Sequence, residues 1–128
     1  MRKDFLESLQ NIFKSEAVVI RPWGSYVVLK EEKGYKVKKI IVLPNQRLSL
    51  QMHNHRSEHW AVIEGKAKVR IGSKEYYLKK GESCFVPLKT KHRLENPFDE
   101  QLKIVEIQNG DYLKEDDIIR LEDDYNRK

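Results

Sequence analysis

Between Arg21 and Gln108 no apolar pattern holds helical spacing for long; short Val, Ile, Tyr and Leu runs alternate with polar residues instead. Turn signals cut these runs at Lys33-Gly34, Pro44-Asn45, Gly65, Gly72-Ser73, Lys80-Gly81 and Asn96-Pro97. The pattern predicts many short antiparallel strands and leaves no room for a strand-helix-strand unit. The fold class is therefore all-β, a sandwich or barrel of the jelly-roll kind. Ahead of it, Phe5, Leu6, Leu9, Ile12 and Phe13 recur at helical spacing, so residues 1–17 are expected to form an amphipathic N-terminal helix and residues 18–128 the domain proper. After Asp111 the chain turns acidic, with a short helix or turn expected around Glu115 to Ile119.

A chain of 128 residues suits one domain with one core and one site. Apolar runs stop at four residues, as in Ala17 to Ile20, which excludes a spanning helix of about 20. The start, MRKDFLESLQ, has no apolar signal core, and the expected location is cytoplasmic. Cys84 is the single cysteine, so packing must hold the fold. The net charge of +5 is small and spread out. Lys66, Lys68 and Arg70 alternate with Ala67, Val69 and Ile71 as on a strand with one wet face, and Lys36 and Lys38 do so loosely. No aromatic residues interleave with these charges to stack bases, so neither nucleic acid nor membrane is expected as a partner.

Three of the four histidines, His53, His55 and His59, fall within seven residues, and His92 is the fourth. Read as one strand, residues 48–55 place Ser49, Gln51, His53 and His55 on one face and Leu48, Leu50 and Met52 on the other. Two imidazoles two residues apart could then reach one first-row metal ion, and Glu58 in the following turn could complete the set.

These residues resemble the cupin superfamily. His53-x-His55, Glu58 and Gly65 look like its first motif, and Gly81, Pro87, His92 and Asn96 look like its second. The resemblance implies a small β-barrel with one divalent ion on His53, His55, Glu58 and His92, zinc being favoured over manganese, cobalt, nickel or iron. Two departures stand out: the gap between His55 and Glu58 is shorter than usual, and Lys89 stands where the second motif often has glycine. His59 or Gln51 could take the acid's place among the ligands.

A narrower match runs through RPWGSY (Arg21 to Tyr26), QMHNHRSEHW (Gln51 to Trp60), HRLENP (His92 to Pro97) and the block from Ile104 to Arg127. It is similar to the carboxy-terminal isomerase domain of type II phosphomannose isomerases, the partner domain in bifunctional mannose-1-phosphate guanylyltransferases. The resemblance implies a metal-dependent interconversion of mannose 6-phosphate and fructose 6-phosphate, with a sugar phosphate as the ligand. Such chemistry needs a proton carrier, stabilisation of an enediolate and cations for the phosphate. Glu106 shares a strand face with Leu102 and Ile104, where desolvation would raise its pKa, and is the first candidate carrier; His59 is the second. Arg120 and Arg127 are the candidate phosphate ligands, Arg120 also being a candidate in catalysis, although both could pair with Asp116, Asp117, Glu122 or Asp123. Lys89 and Lys91, just before His92, are further candidates for the phosphate.

If His53 and His55 point inward, Leu48, Leu50 and Met52 point outward and need cover, from residues 1–15 or from a second subunit, which favours a homodimer. Two other functions stay open: a cupin enzyme with another reaction, such as a dioxygenase, and a sugar-sensing cupin without turnover.

Overall fold

The computed structural model describes residues 17–127. The expected N-terminal helix lies outside them, apart from Ala17, which precedes the first strand. Among the described residues there are twelve strands and no helix. The first sheet holds β1 (Val19–Arg21), β2 (Gly24–Glu32), β3 (Tyr35–Val42), β6 (Arg56–Glu64), β9 (Ser83–Val86) and β11 (Leu102–Gly110), in the order β1-β2-β3-β11-β6-β9. The second holds β5 (Leu50–Met52), β7 (Ala67–Ile71), β8 (Lys74–Leu78), β10 (His92–Asn96) and β12 (Ile119–Glu122), in the order β12-β5-β10-β7-β8. The short β4 (Gln46–Arg47) pairs with β10.

The period-two pattern sets what lies between the sheets. Buried positions alternate along β3 as Lys36, Lys38, Ile40 and Val42, along β11 as Leu102, Ile104, Glu106 and Gln108, and along β6 as Arg56, Glu58, Trp60 and Val62. The register aligns Ile40, Ile104 and Val62 in one row across the sheet and Lys38, Glu106 and Trp60 in another. The inner surface is thus apolar at one end and polar at the other. The apolar end packs with Val69, Leu78 and Leu94 of the second sheet, each such burial contributing about 1.5–3 kcal/mol. At the polar end buried groups need partners.

Lys36 and Lys38 were expected on a wet face, and the structure corrects this. Both are buried, because β3 turns the row Lys36, Lys38, Ile40, Val42 inward. Lys36 Nζ donates to the carbonyl of Leu113 at 2.6 Å, and Lys38 Nζ pairs with Glu115 at 2.5 Å. The row of Leu48, Leu50 and Met52 is corrected at Leu48. The chain is irregular at Leu48 and Ser49, so Leu48 packs against the core and Leu50 is buried, leaving Met52 half-buried. Near the C-terminus Glu115 and Asp116 form a turn, and β12 follows where a short helix was one expectation.

Asn96 pins the closed, apolar end. Its Nδ2 donates to the carbonyls of Val42 (3.0 Å), Leu43 (3.2 Å) and Glu100 (2.7 Å), and its Oδ1 accepts from the Phe98 amide. Gly65, in the turn after β6, has φ +82°, and a Cβ there would lie 2.5 Å from the Gln101 carbonyl oxygen. Only glycine fits that turn.

Candidate functional site

The polar end opens on a cavity bordered by both sheets and by the segment that precedes β12. His53 just after β5, Glu58 on β6 and His92 on β10 converge at its wall, with candidate ligand atoms within 4.8 Å of one another and all three side chains buried; Glu58 and His92 border the cavity itself. Their orientations are fixed from behind. His53 Nδ1 donates to the Asp117 carbonyl at 2.5 Å and His92 Nδ1 to the Thr90 carbonyl at 2.9 Å. Each ring therefore turns Nε2 toward the cluster, the atom a metal would take. The Asp117 carboxylate accepts the amides of Asn54 and His55, both at 3.0 Å, and holds the bend that carries His53. Gln51, directly across from His92 in the strand pairing, borders the same cavity.

His55 is not in this group. β5 ends at Met52, and the bend at Asn54 and His55 breaks the alternation, so His55 is exposed with its ring centre 5.6 Å from that of Tyr112. Arg56 takes the inward place: Nε donates to Glu58 Oε2 at 2.9 Å and Nη2 to His53 Nε2 at 3.2 Å. Counted from His53, the acid follows after four residues, the wider gap of the cupin pattern, and Gln51 then stands where the first histidine of that pattern would. His59 also points away, because β6 alternates and Glu58 and Trp60 face in. It is exposed against Phe85 at 4.7 Å.

Glu106 lies beside the cluster. Trp60 Nε1 bridges the two acids, donating to Glu58 Oε1 at 2.9 Å and to Glu106 Oε2 at 3.2 Å, and Gln108 donates to Glu106 Oε1 at 2.6 Å. Burial and the charge of Glu58 push the Glu106 carboxyl up to about 8, against the pull of Lys38 and Arg56. Burial also works to raise Glu58, but His53, His92 and Arg56 outweigh it and hold that carboxyl well below the usual range. Two acids one indole apart are thus driven in opposite directions, the arrangement that separates a standing anion from a proton carrier.

Besides the buried Arg56, three half-buried arginines border the same cavity: Arg21, Arg120 and Arg127. Burial and the nearby charges of Arg127 and Arg21 lower the pKa of Arg120, so the guanidiniums feel one another. Arg127 is also held by Asp123, with Nε at 2.8 Å and Nη2 at 3.0 Å. A dianion would relieve this repulsion. Lys89 and Lys91 are exposed and do not border the cavity, contrary to expectation. Sequence reasoning passed over Arg21, Lys38, Arg56, Glu115 and Asp117. Strand parity counted back from Glu58 reaches Arg56; no local pattern marks Asp117, which acts on residues 62 to 64 positions earlier.

A family model described as mannose-6-phosphate isomerase, C-terminal, matches residues 9–123. The chain belongs to this family. Among curated relatives, mannose-1-phosphate guanylyltransferase RfbM of Salmonella typhimurium is 49% identical over 113 residues, covering 88% of this chain and 24% of that protein. The alginate biosynthesis protein AlgA of Pseudomonas aeruginosa is 50% identical over 109 residues, covering 85% and 23% respectively. The chain thus spans about a quarter of the length of these relatives. Among solved structures, the capsular polysaccharide assembling protein CapF of Staphylococcus aureus superposes with TM-score 0.72 at 22% identity, over 82% of this chain and 34% of that one. Bacillus subtilis oxalate decarboxylase, whose Mn(II) centres have been characterised, gives TM-score 0.72 at 22% identity over 86% of this chain and 31% of that one. At these identities the likeness shows the fold, which is the cupin barrel.

Proposed function

We propose that this member of the family interconverts mannose 6-phosphate and fructose 6-phosphate in the cytoplasm, using one divalent ion. The observation that carries this reading is a cavity bordered by Glu58 and His92 of the buried His53-Glu58-His92 cluster, by a carboxyl raised to about 8 and, besides the buried Arg56, by three half-buried arginines. The donor set fits a borderline first-row ion, zinc first, because two imidazoles with their Nδ1 atoms already engaged and one carboxylate all turn toward the same point. Such an ion would polarise the carbonyl of the open-chain sugar.

The chain supplies the rest. The three arginines sit half-buried while the ligands and Glu106 are buried, so a sugar phosphate would rest its phosphate among Arg21, Arg120 and Arg127 and extend its carbonyl end inward. Glu106 would take the proton from C2 and return it to C1. A coupled isomerase assay tests the reading: turnover of mannose 6-phosphate should vanish with chelator and return with zinc or manganese. Tight binding of mannose 6-phosphate with no turnover under any metal would favour the sensing alternative.

A further inference from the structure

We propose that Lys38 is a second catalytic residue of this site, exchanging the proton between the two reacting oxygens while Glu106 moves the one between the two carbons. This rests on the isomerase reading above. Lysine is seldom fully buried without a specific partner or task. Among the described residues this barrel buries two, and they differ. Lys36 Nζ is tied to the Leu113 carbonyl and does not border the cavity. Lys38 borders it, with Nζ 4.1 Å from the centre of the Tyr26 ring and 2.5 Å from Glu115 Oε1. An ammonium has three donors. With Glu115 on one side and the ring face on another, the remaining N–H is available to the cavity.

The placement matches the chemistry. Lys38 and Glu106 are direct partners across β3 and β11 on the inner face, a relation that sets their Cβ atoms roughly 5 Å apart. One group can thus address the carbons while the other addresses the oxygens attached to them. In the forward direction the Glu106 carboxylate takes the C2 proton, the C2–H pair becomes the C1–C2 double bond, and the carbonyl pair moves to O1, which takes a proton from Lys38. The Lys38 amine then takes the O2 proton, the O2 pair forms the C2 carbonyl, and C1 takes its proton from Glu106. Both side chains end as they began. Arg56 is also buried here but holds its proton throughout, so it can stabilise charge without making this exchange. Glu115 pairs with both Lys38 and Arg56 and so holds the two cations beside each other at the cavity wall.

The test compares wild type with Lys38→Arg and Lys38→Ala in the coupled assay, with bound metal and thermal unfolding measured alongside. Lys38→Arg preserves the pair with Glu115 yet cannot release its proton, so kcat should fall about 100-fold or more with KM changed less than about threefold and metal content intact. Added ethylamine should restore part of the kcat lost in Lys38→Ala. A Lys38→Arg enzyme with near wild-type kcat would overturn the proposal and reduce Lys38 to a structural ion pair, as would loss in Lys38→Ala that no amine repairs. Wild-type protein that binds metal but never isomerises would instead overturn the isomerase reading itself, and the role of Lys38 with it.

Discussion

At the scale of single residues, the four histidines divide into two that look inward and two that do not, and that division is measurable. His53→Ala and His92→Ala should each lower the bound metal to a small fraction of one equivalent by elemental analysis, whereas His55→Ala and His59→Ala should keep it. Glu106 offers a pH signature in the metal-free protein. Its carboxyl, raised to about 8 by burial and by Glu58, compares with about 4.3 in an unfolded chain. Between those values the native state binds more protons than the unfolded one, so this group's contribution to stability falls as pH rises and is gone above about 8. Thermal unfolding in chelator should therefore show wild type losing ground to Glu106→Gln from about pH 5 to pH 8; a pH-independent difference would place the carboxyl in the ordinary range. The inward row of Leu102, Ile104 and Glu106 is visible in the sequence because alternation is clean there. Lys38 is not, because both rows of YKVKKIIV mix charge with apolar bulk and parity alone cannot choose between them.

At the scale of elements, most strands follow from alternation plus turn residues, and the exceptions are short irregular joints. β5 is three residues long, and the bend that follows it at Asn54 and His55 shifts the parity that a single strand from 48 to 55 would have. That shift sends His55 out and brings Arg56 in. Another joint, the turn before β10, has Lys89 at φ +56°, where a non-glycine residue is strained by about 1 kcal/mol. Its amide donates to the His53 carbonyl at 2.9 Å, so the turn also steadies a candidate ligand. Lys89→Gly should keep that bond and relieve the side-chain strain, offset by the greater freedom glycine gives the unfolded chain, for a net change between zero and about +1 kcal/mol in chemical denaturation. A loss of more than 1 kcal/mol would mean that the lysine side chain contributes contacts of its own.

For the whole molecule, Glu58 belongs to one sheet and His92 to the other, with His53 on the bend between β5 and β6, so a bound ion would fasten the two layers together. Zinc at about a hundred times its dissociation constant should stabilise the fold by about 2.7 kcal/mol, read as a rise in unfolding temperature that chelator reverses and His92→Ala abolishes. The segment from Leu113 to Asp117 works at the same scale, with Leu113 and Glu115 gripping β3 from 77 residues away and Asp117 holding His53 from 64 away. Seen in time rather than space, this makes the site late. During synthesis nearly every strand of the barrel has been made before Asp117 exists, and His53 waits with its ring unanchored. The anchoring of His53 therefore comes only after the strands on either side of it have been made.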